Sequence, residues 1–205
     1  MPKNRTLTVL TILLLGVAVG ALAQQTPIQE LGDEIFEDED LSINNNQSCA
    51  SCHDDDWGST GPDSFINAHG AVYEGSIPGA FGDRKPPETD YATVSPVLQL
   101  DGDTWVGGNF WDGRATGEKI GWPAADQAQG PFLNPKEQAL PDNACVVYRV
   151  SLSAYSGLYM EVFGDNISTI DFPADTDALC AAGDPVPLSA DDRARVETEY
   201  DNIAL

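Results

Sequence analysis

The segment Cys49-Ala50-Ser51-Cys52-His53 places two thiols two residues apart and a histidine directly after the second thiol. This C-x-x-C-H spacing is the attachment signature of c-type haem. The two thiols can reach the two vinyl groups on one edge of the macrocycle as thioethers, and the adjacent histidine then lies under the iron and supplies an axial nitrogen. The segment therefore predicts one covalent haem c, attached through Cys49 and Cys52 and ligated by His53.

Two other kinds of site use a C-x-x-C pair, and the rest of the sequence disfavours both. A structural zinc site needs about four ligands, whereas the whole chain has only four cysteines and two histidines. A thioredoxin-like redox pair would need neither the adjacent histidine nor the irregular sequence around it. Haem attachment is the favoured interpretation.

Residues 1–23 predict an export signal. Lys3 and Arg5 form a short basic region, residues 7–20 are almost wholly apolar, and Ala21-Leu22-Ala23 has the small-x-small pattern that signal peptidase cuts. An uncleaved N-terminal anchor is the alternative, but the apolar run is short and early for a membrane span. We therefore expect a periplasmic protein that starts at Gln24 and has no stable membrane insertion after signal removal.

The composition is strongly acidic. The whole chain has 10 basic and 33 acidic residues, and losing Lys3 and Arg5 with the signal leaves 8 against 33, a net charge of −25. Nucleic acid and an anionic membrane surface would both be repelled, so we expect neither as a partner. The charge is consistent with a basic protein partner, and equally with a solvated acidic surface suited to a salty environment.

The two cysteines outside the motif, Cys145 and Cys180, take no part in haem attachment. Unpaired thiols tend to oxidise in an exported protein. The pair is therefore predicted to form a disulfide, with two buried free thiols as the alternative.

Hydrophobic periodicity predicts helices near the two ends of the mature chain. Residues 27–38, residues 142–163 and the segment from Ser189 onward each carry an apolar stripe. Residues 57–141 differ, because glycine and proline recur and apolar periodicity is weak. The aromatic residues of this stretch need a surface to pack on, and a haem face would serve. No run of residues requires a strand.

The second axial position at the iron would decide the function. The remaining candidates are His69 and Met160, since the mature chain has one other histidine and one methionine. Two permanent protein ligands produce an electron carrier, whereas an open or opening position allows chemistry on a bound small molecule. Met160 lies in the predicted helical stripe, where core packing is the competing explanation.

Three segments resemble the bacterial di-haem cytochrome c peroxidases and their relative MauG. Leu41-Ser42-Ile43-Asn44 before the cysteine motif is similar to the approach to that family's first haem. Residues 110–115 (FWDGRA) match the family's F-W-D-G-R-A segment, and residues 126–137 (DQAQGPFLNPKE) are similar to its Q-A-x-G-P-x-x-(N-P)-x-E segment. The resemblance, which spans about residues 31–155, implies an all-α fold: a cytochrome c-like helical haem domain with long irregular loops.

The resemblance implies catalytic roles for four residues. Glu137 matches the distal-pocket glutamate that takes the proton from iron-bound oxygen and returns it to the leaving oxygen, and Gln127 matches the glutamine that orients peroxide. Trp111 matches the tryptophan that carries electrons between the two haems, and Arg114 would pair with a haem propionate or with Asp112. The alternatives are a surface acid, a loop amide, a core aromatic and a structural ion pair, respectively.

A metal-ligand role is implied for His69. It follows His53 by 16 residues, which is the spacing of the family's displaceable distal histidine. Such a ligand occupies the iron at rest and leaves before peroxide binds. The surrounding residues, 67–71, are not a close match to the family, and an exposed loop histidine is the alternative.

The sequence also departs from the family. It has one C-x-x-C-H motif, whereas the family has two, so residues 24–205 are interpreted as the peroxidatic haem domain of a protein whose second haem domain would follow residue 205. Residues 117–125 look inserted between two of the matching segments. No clear counterpart of the family's asparagine calcium ligand lies near residues 84–87, so a calcium site is left open.

The function implied is that of a cytochrome c peroxidase-like oxidoreductase. It would reduce hydrogen peroxide to water with electrons from a small redox protein such as a cytochrome c or a cupredoxin. Three alternatives stay open. The first is MauG-like oxidation of a protein partner, which uses the same residues. The second is a monohaem electron carrier in which His53 and either His69 or Met160 hold the iron permanently, and the third is a degenerate fragment that binds haem without activity.

Overall fold

The computed structural model describes residues 25–205, so the predicted signal peptide, residues 1–23, lies outside the described residues. The described part is mostly helical, which confirms the predicted all-α class, and it includes one two-stranded hairpin. Its elements are α1 (Pro27–Glu37), α2 (Ser64–Ala68), β1 (Gln99–Asp101), β2 (Thr104–Val106), α3 (Pro123–Leu133), α4 (Asn143–Leu152), α5 (Ser156–Phe163), α6 (Thr176–Ala182) and α7 (Ala190–Ala204).

Helix α1 forms where the sequence predicts it. Pro27 occupies the first helical position, where its missing N–H is not needed, and the side chain of Gln29 accepts a hydrogen bond from the backbone N–H of Thr26 at 2.9 Å. Leu31 and Ile35 are buried on one face. This face packs against α5 and carries the chain towards the cysteine motif.

The prediction of one helix over residues 142–163 is wrong, because the chain breaks between α4 and α5. Ser153 is extended, and its hydroxyl and its backbone N–H both donate to the carbonyl oxygen of Val150, at 2.9 and 3.2 Å. A serine that bonds to the nearby backbone in this way competes with helix continuation. The break lets α4 pack against α7 while α5 packs against α1.

One apolar core unites these helices. The predicted disulfide between Cys145 and Cys180 is confirmed, and it joins α4 to α6 inside this core. Burial of such side chains supplies most of the driving force for folding. The largest apolar side chains that are almost fully buried are Leu31, Leu41, Leu140, Val146, Val147, Val150, Tyr159, Val186 and Val196.

Helix α7 closes the core with polar contacts at two points. Its start is confirmed at Ser189, whose hydroxyl caps the helix by accepting from the backbone N–H of Asp192 at 3.1 Å. Further along, the carboxylate of Glu199 is 1% exposed. It accepts hydrogen bonds from the Tyr159 hydroxyl at 2.5 Å and from the Asn166 amide at 2.7 Å.

The middle of the chain, residues 42–139, is mostly irregular. It includes the short helix α2, the helix α3 and the antiparallel hairpin, in which Leu100 lies opposite Trp105. The sequence predicted no strand here. Helix α3 begins at Pro123, within the segment that looks inserted relative to the family, and it packs against α7. No helix within residues 25–205 is long and apolar enough to cross a membrane.

Candidate haem-binding site

The cysteine motif forms a tight turn just after α1. The backbone N–H groups of Cys52 and His53 both donate to the carbonyl oxygen of Cys49, at 3.0 Å each, and Ala50 N–H donates to the carbonyl oxygen of Phe36 in α1 at 3.1 Å. These bonds fix the turn to the helical core. Both cysteines are free thiols, and they border one cavity of about 430 Å³ together with His53.

The environment of the two thiols disfavours the alternative uses of a C-x-x-C pair. Burial raises the pKa of Cys49 to about 12 and that of Cys52 to about 11, with repulsion from nearby acidic groups adding to both. Both thiols are therefore protonated near neutral pH. Redox chemistry needs the thiolate form, so this turn is poorly suited to a thioredoxin-like pair. A zinc site is disfavoured because the described residues hold no group of three or more His, Cys, Asp or Glu side chains placed to bind a metal ion.

His53 is held in the form that a metal ligand requires. Its Nδ1 lies 3.2 Å from the carbonyl oxygen of Ser59, which accepts the ring N–H and leaves Nε2 as the nitrogen with a free lone pair. Burial lowers the pKa of His53, although hydrogen bonds to the backbone of Ser59 and Pro87 oppose the shift. A neutral imidazole fixed through Nδ1 is a suitable axial ligand.

The wall of the cavity that carries Gln127 and Glu137 comes from α3 and the turn that follows it. Gln127 lies within α3, and Glu137 follows the helix end, where its backbone N–H donates to the carbonyl oxygen of Asn134 at 2.9 Å. Burial raises the pKa of Glu137, the positive charge of Arg114 opposes this, and the negative charge of Asp83 adds to it. A half-buried carboxyl with a raised pKa is a suitable proton acceptor.

A close backbone approach positions Glu137. The backbone N–H of Ser76 donates to the carbonyl oxygen of Glu137 at 2.7 Å. A Cβ atom at Gly75 would lie 2.3 Å from the carbonyl oxygen of Lys136 and 2.7 Å from that of Glu137. Such distances are far inside van der Waals contact, so this crossing requires glycine at position 75.

The segment 110–115 supplies the third wall. Arg114 forms a salt bridge with Asp112 at 2.8 Å, and its guanidinium lies 3.6 Å from the centre of the Phe110 ring, a cation–π contact. The indole N–H of Trp111 donates to the carbonyl oxygen of Lys85 at 3.3 Å, and 67% of Trp111 is exposed. Trp111 is therefore an edge residue of the cavity and not a core aromatic.

Positive charge is concentrated around this cavity. Four of the eight basic residues that follow the predicted signal border the cavity, together with three carboxylates. The whole chain, by contrast, has a net charge of −23. This environment suits a ligand that carries carboxylates. The four cations are Arg84, Lys85, Arg114 and Lys136.

These features fit a covalent haem. One cavity brings together two free thiols at the spacing of thioether attachment, a neutral histidine nitrogen, the aromatic rings of Phe36 and Phe110 and a group of cations for the two propionates. The site residues predicted from sequence that border it are Cys49, Cys52, His53, Trp111, Arg114, Gln127 and Glu137. When haem c is bound, Cys49 and Cys52 would hold its vinyl edge and His53 its iron.

The structure does not bring His69 to this cavity. His69 is exposed just after α2, its Nδ1 lies 2.8 Å from the carbonyl oxygen of Phe65, and its ring stacks on the Phe65 ring at 4.1 Å. The other candidate, Met160, packs against the helical core from α5. The role of His69 as a resting ligand stays a prediction, and it would require a rearrangement of α2.

Phe36, Gln47 and Gln138 are among the residues that border the cavity and were not anticipated from the sequence. Phe36 is part of the predicted helix α1, and Gln47 precedes the cysteine motif. Gln138 directly follows Glu137, and this adjacency was the one signal that could have identified it. Nothing in the local pattern distinguishes Phe36 or Gln47 from other residues of a helix end or a loop.

A second cavity, of about 460 Å³, lies on the other side of the cysteine motif. Its lining is polar and acidic, with Glu37, Glu39 and residues 54–56, and it includes neither thiol and not His53. It is therefore not the haem site. Within residues 25–205, no group of three or more His, Cys, Asp or Glu side chains is placed to hold a metal ion.

Comparisons with known proteins place this site in a family. Residues 27–181 match the family described as Di-haem cytochrome c peroxidase. The methylamine utilization protein MauG of Paracoccus denitrificans is 37% identical over 156 residues, which are 73% of this chain and 38% of MauG. The cytochrome c551 peroxidase of Nitrosomonas europaea is 30% identical over 185 residues, which are 82% of this chain and 48% of that enzyme.

A similar fold occurs in the diheme peroxidase BthA of Burkholderia thailandensis. The match has a TM-score of 0.60 at 23% identity and covers 88% of this chain and 39% of BthA. The chain thus spans less than half the length of each of these relatives. Since the family match covers most of the described residues and includes the cysteine motif and both other walls of the cavity, the chain belongs to the di-haem cytochrome c peroxidase family.

Proposed function

We propose that this chain holds a peroxidatic haem at which hydrogen peroxide is reduced to water. The observation that carries the proposal is the half-buried Glu137, which borders the same cavity as Cys49, Cys52 and His53 and whose pKa is raised by burial. Haem c, when bound, supplies the redox-active iron. The reaction consumes two electrons and two protons for each peroxide and produces two water molecules.

Proton transfer is the task of the cavity wall. Glu137 would accept a proton from one oxygen atom of hydrogen peroxide and return it to the other oxygen atom, which leaves as water. Gln127 borders the same cavity and would orient peroxide by hydrogen bonds. A positioned acid–base group of this kind contributes about 100- to 10,000-fold to a rate.

Electron delivery is the task of the exposed edge. Trp111 borders the cavity and is largely exposed, so it offers a route from the surface to the haem. Arg114 and Lys85 would pair with the haem propionates. The family is described as di-haem and this sequence has one C-x-x-C-H motif. We therefore propose that electrons reach this haem from a second haem centre. That centre would receive them, in the periplasm, from a small redox protein such as a cytochrome c or a cupredoxin.

Two other functions use the same cavity differently. Oxidation of a protein partner is favoured by the 37% identity to MauG. The wall of the cavity that carries Gln127 and Glu137 would serve this reaction equally well. A monohaem electron carrier is disfavoured. Among the described residues that border the cavity, His53 is the one histidine and there is no methionine, so neither of the second ligands considered for a carrier, His69 and Met160, borders the site.

The resting spectrum with and without peroxide separates an enzyme from a carrier. The chain would be expressed with a haem-maturation system, and the ferric and the chemically reduced forms would each be mixed with one equivalent of hydrogen peroxide. We expect a rapid change of the Soret band in at least one form. A six-coordinate spectrum that peroxide leaves unchanged in both forms would contradict the proposal and favour the carrier.

A further inference from the structure

Two glutamine side chains at the edge of the haem cavity are buried without complete hydrogen bonding. Gln138 is 2% exposed and Gln47 is 7% exposed, and both border the cavity. Among the described residues, both amide atoms of Gln138 and the Oε1 atom of Gln47 have no hydrogen-bond partner. Buried polar atoms in native proteins are nearly always paired, because an unpaired one carries a desolvation penalty.

The two glutamines lie where three chain segments meet: residues 42–47, the segment that contains Glu74, and the turn after α3 that contains Gln138. Gln47 N–H donates to the hydroxyl of Ser42 at 3.0 Å, and Ile43 N–H donates to the carbonyl oxygen of Gln138 at 2.8 Å. The Gln47 amide also donates to the carbonyl oxygen of Glu74 at 2.9 Å. The backbone of Gln138 thus lies beside the loop that contains Gln47 and leads into the cysteine motif, and the Gln47 side chain is held by Glu74.

The orientation of each amide can be assigned. Gln47 Nε2 must be the donor towards Glu74, because a carbonyl oxygen accepts only. The atom left over is therefore the acceptor Oε1. In Gln138 both ends are unpaired, so exchanging its nitrogen and oxygen leaves the same set of one donor and one acceptor.

The three unpaired atoms are two acceptors and one donor group. An anion would be repelled by the two carbonyl oxygens, a cation would be repelled by the amide N–H group, and an apolar group would satisfy none of the three. A small hydroxylic molecule supplies two O–H donors and an oxygen lone pair, which is the complementary set. Water and hydrogen peroxide both have this chemistry.

We propose that Gln47 and Gln138 form a second hydrogen-bonding site in the cavity wall, beside Glu137, that holds one small hydroxylic molecule, either water or hydrogen peroxide. Both act as positioning residues, since an amide side chain would hold the molecule by hydrogen bonds and would neither give nor take a proton. The site depends on the walls of the cavity and does not require that the peroxidase activity proposed above is correct.

Thermal unfolding of the haem-loaded chain tests the shared site. Gln138→Met and Gln47→Met keep the side-chain length but remove the amide, and the double variant completes a double-mutant cycle. If the amides share a bound molecule, each single variant should lower Tm by about 3–8 °C. The double variant should lower it no further than the worse single variant, because the first loss already releases the molecule. Gln99→Met, an exposed hairpin position, is the control and should leave Tm unchanged.

A higher Tm in Gln138→Met would overturn the proposal, because removing an amide that has no partner relieves a penalty. Unchanged Tm values or fully additive losses would overturn it as well. Should Gln138→Met fail to accumulate as folded protein, Gln138→Leu takes its place, because Gln47→Met also loses the hydrogen bond to Glu74; an unchanged or raised Tm in Gln138→Leu refutes the site.

The rate of the ferric haem with hydrogen peroxide identifies the occupant. A fall of about tenfold in both single variants, the size expected for one lost hydrogen bond to a reactant, assigns peroxide. An unchanged rate assigns a structural water molecule. Failure of the proposed function would appear as no peroxide reaction in the wild type, and it would leave the Tm cycle readable.

Discussion

The helical region (residues 27–41 and 140–204) and the loop region (residues 42–139) have opposite physical character. The helical region holds the disulfide and most of the buried apolar side chains. The loop region holds nearly all of the cavity and, within the described residues, every non-glycine residue with positive φ, including Phe110 and Ala139. It also holds 13 of the 16 exposed large hydrophobic side chains.

The two regions have different tasks in the molecule. Left-handed backbone conformations and exposed aromatic rings are unfavourable, and they persist where surrounding structure or a ligand holds them. The helical region supplies a packed frame, and the covalent haem would supply a packing surface for the loop residues that border the cavity, among them Phe110 and Trp111. The loop region should therefore depend on haem, and the helical region on its own core.

The largest effect is expected from removing the attachment site. Cys49→Ser with Cys52→Ser should abolish covalent haem, because serine cannot form the thioethers. Acid–acetone extraction and intact mass would show the loss. Hydrogen exchange should then accelerate by orders of magnitude in the loop region and much less in the helical region. Retained covalent haem, or equal loss of protection in both regions, would contradict this division.

The converse perturbation removes the disulfide. Cys145→Ala with Cys180→Ala frees a loop with a sequence separation of 35 residues. It should lower the free energy of unfolding by roughly 3–4 kcal/mol in the chain-entropy description. The resting haem spectrum should stay the same, since neither cysteine borders the cavity. A changed spectrum would show that the two regions are more strongly coupled than we infer.

A pair of matched glycine substitutions sharpens the comparison. Gly75→Ala places a methyl group against the Lys136 and Glu137 carbonyl oxygens, so it should lower the free energy of unfolding by about 1–3 kcal/mol. By shifting Glu137 it should also slow the peroxide reaction by about tenfold or more. Gly157→Ala in α5 meets open space and should raise stability by at most about 1 kcal/mol. Denaturant unfolding measures the stability of both variants, and stopped-flow kinetics measures their rates with peroxide. Equal effects of the two substitutions would contradict the crowding at position 75.

A smaller effect is expected in the dependence of the peroxide rate on pH. Glu137 must be ionised to accept a proton, and burial raises its pKa above the ordinary value of 4.5. The peroxide rate should thus rise with pH through a midpoint above 4.5 and then level off. The stability that protonated Glu137 contributes is complete below its ordinary pKa and is lost as pH rises through the raised one. Glu137→Gln should accordingly become more stable than the wild type as pH rises. A peroxide rate of the wild type that does not change with pH would argue against Glu137 as the base.

The helical region was the easier part to predict from sequence. Leu31 and Ile35 repeat at helical spacing, and Ser189 marks a helix start, so α1 and α7 were found almost to the residue. The break at Ser153 was missed because the apolar stripe continues through it. Tertiary packing of Tyr155 and Tyr159 on the core preserves that stripe although the helix is interrupted.

The loop region could be predicted in composition but not in geometry. The motif of Cys49, Cys52 and His53 was readable because its spacing is fixed by covalent chemistry. That Gly75 crosses behind Glu137 depends on a contact between residues 62 positions apart, which no local pattern encodes. The buried amides of Gln47 and Gln138 carry no periodic signal either, so they emerge only from the three-dimensional arrangement.

The most direct test of the central claim compares one carboxyl from each region. The second-order rate constant for the ferric haem with hydrogen peroxide would be measured by stopped flow for the wild type, for Glu137→Gln and for Glu161→Gln, an exposed control in α5. We predict that Glu137→Gln slows the reaction by about 100- to 10,000-fold, with an unchanged resting spectrum, and that Glu161→Gln has no effect. Equal rate constants in the wild type and in Glu137→Gln would contradict the account.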